Sequence, residues 1–327
     1  MRLGVLTIAA AVWAGCSAAP TPVPADTAAA DASSGDAAGG ADADAGGTSS
    51  LCRAFLAGAA LGALKGDKLG EISGLADSRR NPGVLWLHND SGDKARIFAV
   101  NLAGALLSEL ALPGVQAIDW EDIAVGPGPQ PGKTYLYLGD IGDNLANRKT
   151  IQVYRAAEPL VDPGLPGASQ NLTGIEKLEL RYPDGAHDAE SLLVDPWSGD
   201  LMLLTKDEDG KSKLYLAKAP LQAGTVVDLV KAGKLEFGKG VLPGDALATA
   251  GDISADGLSI GLRSRDTAFE WRRLPGESVA MTLLAAPCVV ALAQEDQGEA
   301  FGYAADGTGF HTVGEGKGSK MLFYRLK

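Results

Sequence analysis

The chain has 327 residues, 46% of them hydrophobic and 21% charged, which is enough for a sizeable core. Forty-one acidic residues against 29 basic ones give a net charge of −12. That balance indicates no basic face for nucleic acid.

Residues 1–16, "MRLGVLTIAAAVWAGC", place Arg2 ahead of a short apolar stretch. The stretch is too short for an ordinary membrane-spanning helix and reads as a secretory signal over 1–15. Ala14-Gly15-Cys16 resembles the bacterial lipobox, with Trp13 where Leu is usual. The resemblance implies cleavage before Cys16 and acylation of Cys16, hence a lipid anchor in a membrane. A plain signal peptide with an incidental Cys is the other reading. Ser17 after the Cys favours the outer membrane of a Gram-negative envelope. Residues 16–50 are rich in Ala, Asp, Gly, Pro, Ser and Thr and hold five Asp and no base. Such a segment cannot bury enough surface to fold. It reads as a tether, about 30 Å end to end as a flexible coil. The folded part is expected over 51–327. Cys52 and Cys288 remain, in a chain bound for an oxidising compartment, and a disulfide between them is the simple reading.

From Glu71 onward five segments share one layout, opening at Glu71 ("EISGLAD"), Glu121 ("EDIAVGP"), Glu190 ("ESLLVDP"), Thr249 ("TAGDISA") and Glu299 ("EAFGYAA"). Each opens on an apolar run, turns, and gives a second strand: "VLWLHN", "TYLYLGD", "LMLLTKD", "SIGLRSR", "GFHTVGE". A third follows: "ARIFAV", "TIQVYR", "KLYLAK", "AFEWRR", "MLFYRL". Between units lies a fourth candidate: "LLSELALP", "IEKLELRYP", "KLEFGKGVLP", "VAMTLLAAP". Short strands at this spacing, with no convincing amphipathic helix beyond the N-terminus, predict an all-β fold. Four strands per unit predict a five-bladed β-propeller, with a sixth blade hidden in the longer units as the alternative. The fifth unit ends at Lys327 without an outer strand. The N-terminal "LGALKGDK" is expected to supply it, closing the last blade and leaving no free edge.

"DWEDIAV" at 119–125 puts three carboxylates directly ahead of a core-like run, and "DAESLLV" repeats the offset at Glu190. In a propeller the first strand of each blade lines the central channel. Glu71, Glu121, Glu190, Thr249 and Glu299 are therefore expected around one mouth. Carboxylates brought together repel unless protons or a cation compensate. Oxygen donors of this hardness suit Ca²⁺. The alternative is a water-filled mouth whose acids are solvated or paired with Arg. Second-strand ends return to the same face. They bring His88, Asn89, Asp90, Asp140, Asp143, Asn144, Lys206, Asp207, Arg263, Arg265 and Glu315 beside the ring. Acids beside a few cations suit an anionic ligand such as a phosphate ester. Ordinary hairpin chemistry is the preferred reading for "DEDG" and "DSGD". "LGDIGDNLANR" is longer and denser in polar groups than a turn needs, and reads as functional. His88, His187 and His311 form no metal-ligand spacing. There is no Gly-x-Ser-x-Gly elbow and no phosphate loop. Trp86, Tyr135, Tyr137, Tyr215, Trp271 and Tyr324 sit at strand spacing and read as packing between blades.

Blade by blade over 71–327, this layout resembles the calcium-dependent nucleotidases of the apyrase type. "EISGLA", "DWEDIA" and "QGEAFGY" are also similar to bacterial esterase-like phytase propellers. The resemblance implies an axial Ca²⁺ with Glu71, Glu121, Glu190, Thr249 and Glu299 at its ligand positions. Two functions are expected. One is a surface-tethered monomeric propeller with a structural Ca²⁺ that binds a small anionic ligand or a protein partner. The other is a Ca²⁺-dependent phosphohydrolase acting on an extracellular nucleotide or inositol phosphate. There Lys206 and Arg263 would meet the developing charge, and Asp140 and Asp143 would orient water or a second cation.

Overall fold

The structure, a computed structural model, describes residues 52–162, 164–207, 210–238 and 245–327. The expected signal over 1–15, Cys16 and the 16–50 tether lie outside the described residues. Among those described, five sheets stand around one axis. The chain first lays down β1 (Ala59–Ala63). Blade one is β2 (Ile72–Asp77), β3 (Val84–Asn89), β4 (Arg96–Asn101) and β5 (Leu106–Ala111). Blade two is β6 (Trp120–Pro127), β7 (Thr134–Asp140), β8 (Ile151–Ala157) and β10 (Glu176–Arg181), with β9 (Ala168–Asn171) inserted before β10. Blade three is β11 (Ala189–Val194), β12 (Leu201–Thr205), β13 (Lys211–Ala217) and β15 (Val230–Glu236), with β14 (Val226–Asp228) before β15. Blade four is β16 (Ala250–Ile253), β17 (Ser259–Arg263), β18 (Thr267–Arg272) and β19 (Cys288–Ala291). Blade five is β20 (Gly298–Tyr303), β21 (Gly309–Gly314) and β22 (Lys320–Arg325), and β1 is its outer strand.

The ring closes on itself. β1 pairs antiparallel with β22, Ala59 opposite Phe323 and Ala63 opposite Lys320. A disulfide joins Cys52 to Cys288 in β19, a separation of 236 in sequence. Arg53 Nε also donates to Glu270 Oε1 of β18 at 2.7 Å. The five inner strands touch in the order β2, β6, β11, β16, β20 and back to β2.

Each core lies between blades rather than inside one. Trp86 of blade one packs with Leu136 and Leu138 of blade two, and Tyr137 of blade two with Leu203 and Tyr215 of blade three. Further round, Met202 meets Ile260 and Trp271, Phe301 meets Ala250, and Met321 meets Leu85. Inner and second strands are therefore covered on both faces, and β3, β11 and β12 are buried along their whole length. Outer strands alternate, as β10 does with Leu178 and Leu180 inward.

The predicted outer strand "VAMTLLAAP" is instead α1 (Val279–Leu283), a short helix capped by Ser278, whose Oγ accepts from Met281 N at 3.2 Å. Val279, Thr282 and Leu283 are its buried residues, and their helical spacing decides the outcome. β19 takes the outer place in blade four. The structure also adds two outermost strands that were not expected. β9 runs parallel to β5, and β14 parallel to β10.

Buried carboxylates tie the inner strands together. Asp122 accepts Leu192 N at 2.9 Å and Gly251 N at 3.2 Å, bridging blades two, three and four. Asp252 accepts Tyr303 N at 2.9 Å, joining blades four and five. Asp77 accepts Ala305 N at 3.0 Å, joining blades one and five.

Candidate metal centre

The inner strands start with a shared irregularity. The register of β6 on β7 shifts between Trp120 and Asp122, that of β11 on β12 between Ala189 and Ser191, and that of β20 on β21 between Gly298 and Ala300. The extra residues are Glu121, Glu190 and Glu299. A bulge turns its side chain out of the regular pleat, and here three carboxylates turn into the channel mouth. All three are at least nine-tenths buried. Thr249 opens blade four, its N–H donating to Arg263 O at 3.0 Å and its hydroxyl to Gly298 O at 3.1 Å. In blade one the shift falls between Ile72 and Gly74, so Ser73 holds the bulge position. Ser73 Oγ donates to Glu121 O at 2.7 Å and lies 3.5 Å from its carboxylate. Glu71 comes two residues earlier and is exposed.

Two groups of three carboxylates meet at this mouth. Asp90, Asp119 and Glu121 form one; Glu121, Asp188 and Glu190 form the other. Within each, ligand-capable oxygens lie within 4.8 Å of one another, and Glu121 belongs to both. Of the five predicted ligands the structure therefore gathers Glu121 and Glu190. It adds Asp90, Asp119 and Asp188. Asp119 and Asp188 each stand two residues before a bulged glutamate, so "DWE" and "DAE" are one repeated signal. Gly142 closes the cradle. A Cβ there would lie 2.2 Å from Glu121 Oε1 and 2.6 Å from Asp119 Oδ2.

The turn after β7 positions these acids. Asp140 accepts Ile118 N at 3.2 Å and Asp119 N at 3.1 Å, and pairs with Arg148 at 2.9 Å. Asp143 N donates to Asp188 Oδ1 at 2.7 Å, while the Asp143 carboxylate accepts Asn147 N at 3.1 Å and Arg148 N at 2.7 Å. Arg148 Nη1 also donates to Gly142 O at 2.7 Å.

Lys206 directly follows β12 and pairs with Glu190. Burial alone would lower its ammonium, but Glu190, Glu299 and Glu121 outweigh burial and hold the proton on. Burial drives Glu190 up to about 8, with Lys206 pulling against it. Glu121 is raised well above the usual carboxylate range by burial, then by Glu190, Asp90 and Asp119. Arg263 is fully buried, and its guanidinium faces inward partners. It pairs with Glu295 at 2.8 Å and donates to the carbonyls of Ser264, Arg265 and Ala300. Glu315, at the rim, is driven up to about 7 by burial and by Glu299, Glu71 and Asp90.

The donor set fits the cation that the sequence suggests. It is all carboxylate oxygen, at the fixed ends of core strands, in the chemistry of Ca²⁺ and Mg²⁺ rather than of a sulfur- or imidazole-seeking metal. His88 is fully buried beside Trp120, its Nδ1 2.9 Å from Asn89 O, and stands outside both groups. No helix among the described residues is long and apolar enough to cross a membrane.

No protein-family model matches the chain, and no curated protein matches it. Solved structures that it resembles include the WD40 repeats of RRP9, at TM-score 0.42 and 12% identity over 84% of this chain and 100% of that one. U3-55K aligns at TM-score 0.40 and 11% identity, covering 80% of this chain and 97% of that one. A nidogen/laminin complex aligns at TM-score 0.43 and 14% identity, covering 75% and 73%. Likenesses this distant carry no argument about what the channel mouth does.

Proposed function

We propose that the chain is a cation-dependent binding propeller, whose channel mouth holds Ca²⁺ and through it recognises an anionic ligand. The observation that carries this reading is the pair of three-carboxylate groups sharing Glu121. Five carboxylates beside Lys206 repel one another unless protons or a cation compensate. Burial and mutual repulsion favour protons on Glu121 and Glu190, and a hard divalent cation can take the place of those protons. The exposed rim acids and Lys206 then set which anion is admitted. The N-terminal "AGC" supports tethering of this module to a membrane through a lipid on Cys16, in the cell envelope.

Phosphate-ester hydrolysis is the weaker reading. It asks Arg263 to meet a phosphoryl group, and Arg263 is fully buried, with its donors spent on three carbonyls and its charge on Glu295. Asp140 and Asp143 spend their carboxylates on the turn that holds Asp119 and Asp188. Calorimetric titration with Ca²⁺ is the deciding experiment, paired with thermal unfolding in chelator and in millimolar Ca²⁺. Saturable binding and a Ca²⁺-dependent rise in Tm are expected. Identical unfolding in the two conditions would remove the cation. Phosphate release from a nucleotide or an inositol phosphate, dependent on Ca²⁺, would restore the hydrolase.

A further inference from the structure

A second cavity lies at the other end of the channel strands, independent of the cation reading. It has a volume of about 510 Å³ and opens between blades two and three, lined by Pro127, Tyr137, Arg155, Trp197, Pro220 and Gln222 among others. β6 runs from the acidic mouth at Glu121 to this cavity at Pro127, so roughly 20 Å separates the two along the strand.

Trp197 is the unusual wall. It is 44% exposed, yet held on several sides. Arg273 lies 3.7 Å from its ring centroid, and its Nε1 donates to Asp256 O at 2.9 Å. Arg273 is itself fully buried and clamped by Asp195 at 2.8 and 3.0 Å and by Gly257 O at 2.7 Å. The indole is thus fixed before anything binds, with part of its surface open. Fixing an aromatic platform in advance removes the ordering cost that a ligand would otherwise meet.

The second feature is Arg155, 5% exposed and lining the same cavity. Its Nε and Nη2 donate to Glu176 at 2.9 and 2.6 Å, and Nη2 also reaches Leu221 O at 3.2 Å. Tyr137, another residue of the wall, is a further hydrogen-bond partner of this guanidinium, so its five N–H groups exceed its named partners by one. A guanidinium held in place on a cavity wall, with an N–H left over, can donate to an oxygen acceptor of a ligand.

The charges decide which ligand. Arg273 already occupies the Trp197 ring, so the cation–π position that a cationic guest would need on that indole is taken. Arg155 and Arg273 are each neutralised by a carboxylate, Glu176 and Asp195, so the wall has no uncompensated charge to attract an anion. A neutral molecule with an apolar face and hydroxyl acceptors satisfies both constraints, and the volume is that of a small-molecule site. We propose that this cavity binds a neutral saccharide, one pyranose ring stacked on Trp197 and a ring or hydroxyl oxygen accepting from the Arg155 guanidinium.

The test is calorimetric titration of the full chain with methyl glucoside, methyl mannoside, N-acetylglucosamine and cellobiose, in Ca²⁺ and in chelator. At least one is expected to bind with millimolar or tighter Kd in both conditions. Trp197→Ala is expected to weaken it at least tenfold, and Glu121→Gln to leave it unchanged. Because Trp197→Ala also unpacks Arg273, Gln222→Trp serves as a second variant that fills the mouth from an exposed position and should abolish binding. The proposal is overturned if no sugar of the panel binds, if neither variant weakens the binding, or if a polyproline peptide binds where the sugars do not.

Discussion

At the scale of single residues, the channel mouth depends on one extra residue per strand. Without the bulge, Glu121 would fall into the pleat alternation of β6 and meet the core, where an unpaired carboxylate is costly. Gly142 is the counterpart on the other side of the cradle. Gly142→Ala should push Glu121 and Asp119 apart and lower Ca²⁺ affinity at least tenfold, measured by calorimetry, with Tm in chelator close to wild type. Glu121→Gln and Glu190→Gln each remove one charge and should also weaken Ca²⁺ without unfolding the blades. Unchanged affinity in both would make these acids mere channel lining. Much of this was legible: the offset of Glu121 and Glu190 from their apolar runs is a pattern of letters. The blade-one member was not. "EIS" carries Glu71 and Ser73 two residues apart, and only the register of β2 on β3 decides that Ser73 takes the bulge. Arg263 illustrates the same limit, since a strand-end base reads alike whether it faces solvent or a ring of carbonyls.

At the scale of elements, the turn after β7 explains its own length. It is a brace: Asp140 fixes the backbone at 118–119, Asp143 N fixes Asp188, and Arg148 closes both. The sequence flagged that turn as too dense in polar groups for a hairpin, but could not divide its carboxylates between ligand and brace. The straps across the axis are a second device. Asp122→Ala would strand the N–H groups of Leu192 and Gly251 in the core, and should lower stability by ~2–4 kcal/mol in denaturant unfolding. Asp252 makes a pH prediction. Burial raises its carboxyl to about 7, with Arg79 pulling against. Between its unfolded pKa near 3.8 and about 7 the folded chain holds a proton that the unfolded chain has lost. This group's stabilising contribution is therefore present at low pH and fades as pH rises through that window, by up to ~4 kcal/mol. Asp252→Asn should flatten the dependence. Elements at blade edges were the least legible. β9, β14 and α1 lie where packing on one side only leaves a weak periodic signal.

At the scale of the whole molecule, blade number was readable because each unit repeats its turn chemistry, and because cores between blades demand continuous apolar inner strands. The Cys52–Cys288 link closes a loop of more than 230 residues. On the chain-entropy view it stabilises by about 5 kcal/mol at most. Cys52→Ser, or reductant, should lower the denaturation midpoint by an amount bounded by that figure, read by chemical unfolding under matched Ca²⁺. The seam of the ring has a further consequence. Blade five takes three strands from the chain's last residues and its fourth from residues 59–63. During synthesis β1 emerges early and waits, edge unpaired, until β22 exists. Contacts of such sequence separation form slowly, and an unpaired edge in the interval is open to other chains. A chain halted before residue 320 would not be a propeller with a frayed end. It would be an open arc with two bare sheet faces, which marks it for aggregation or proteolysis, so that completion of the last six-residue strand is what commits the molecule to its folded state.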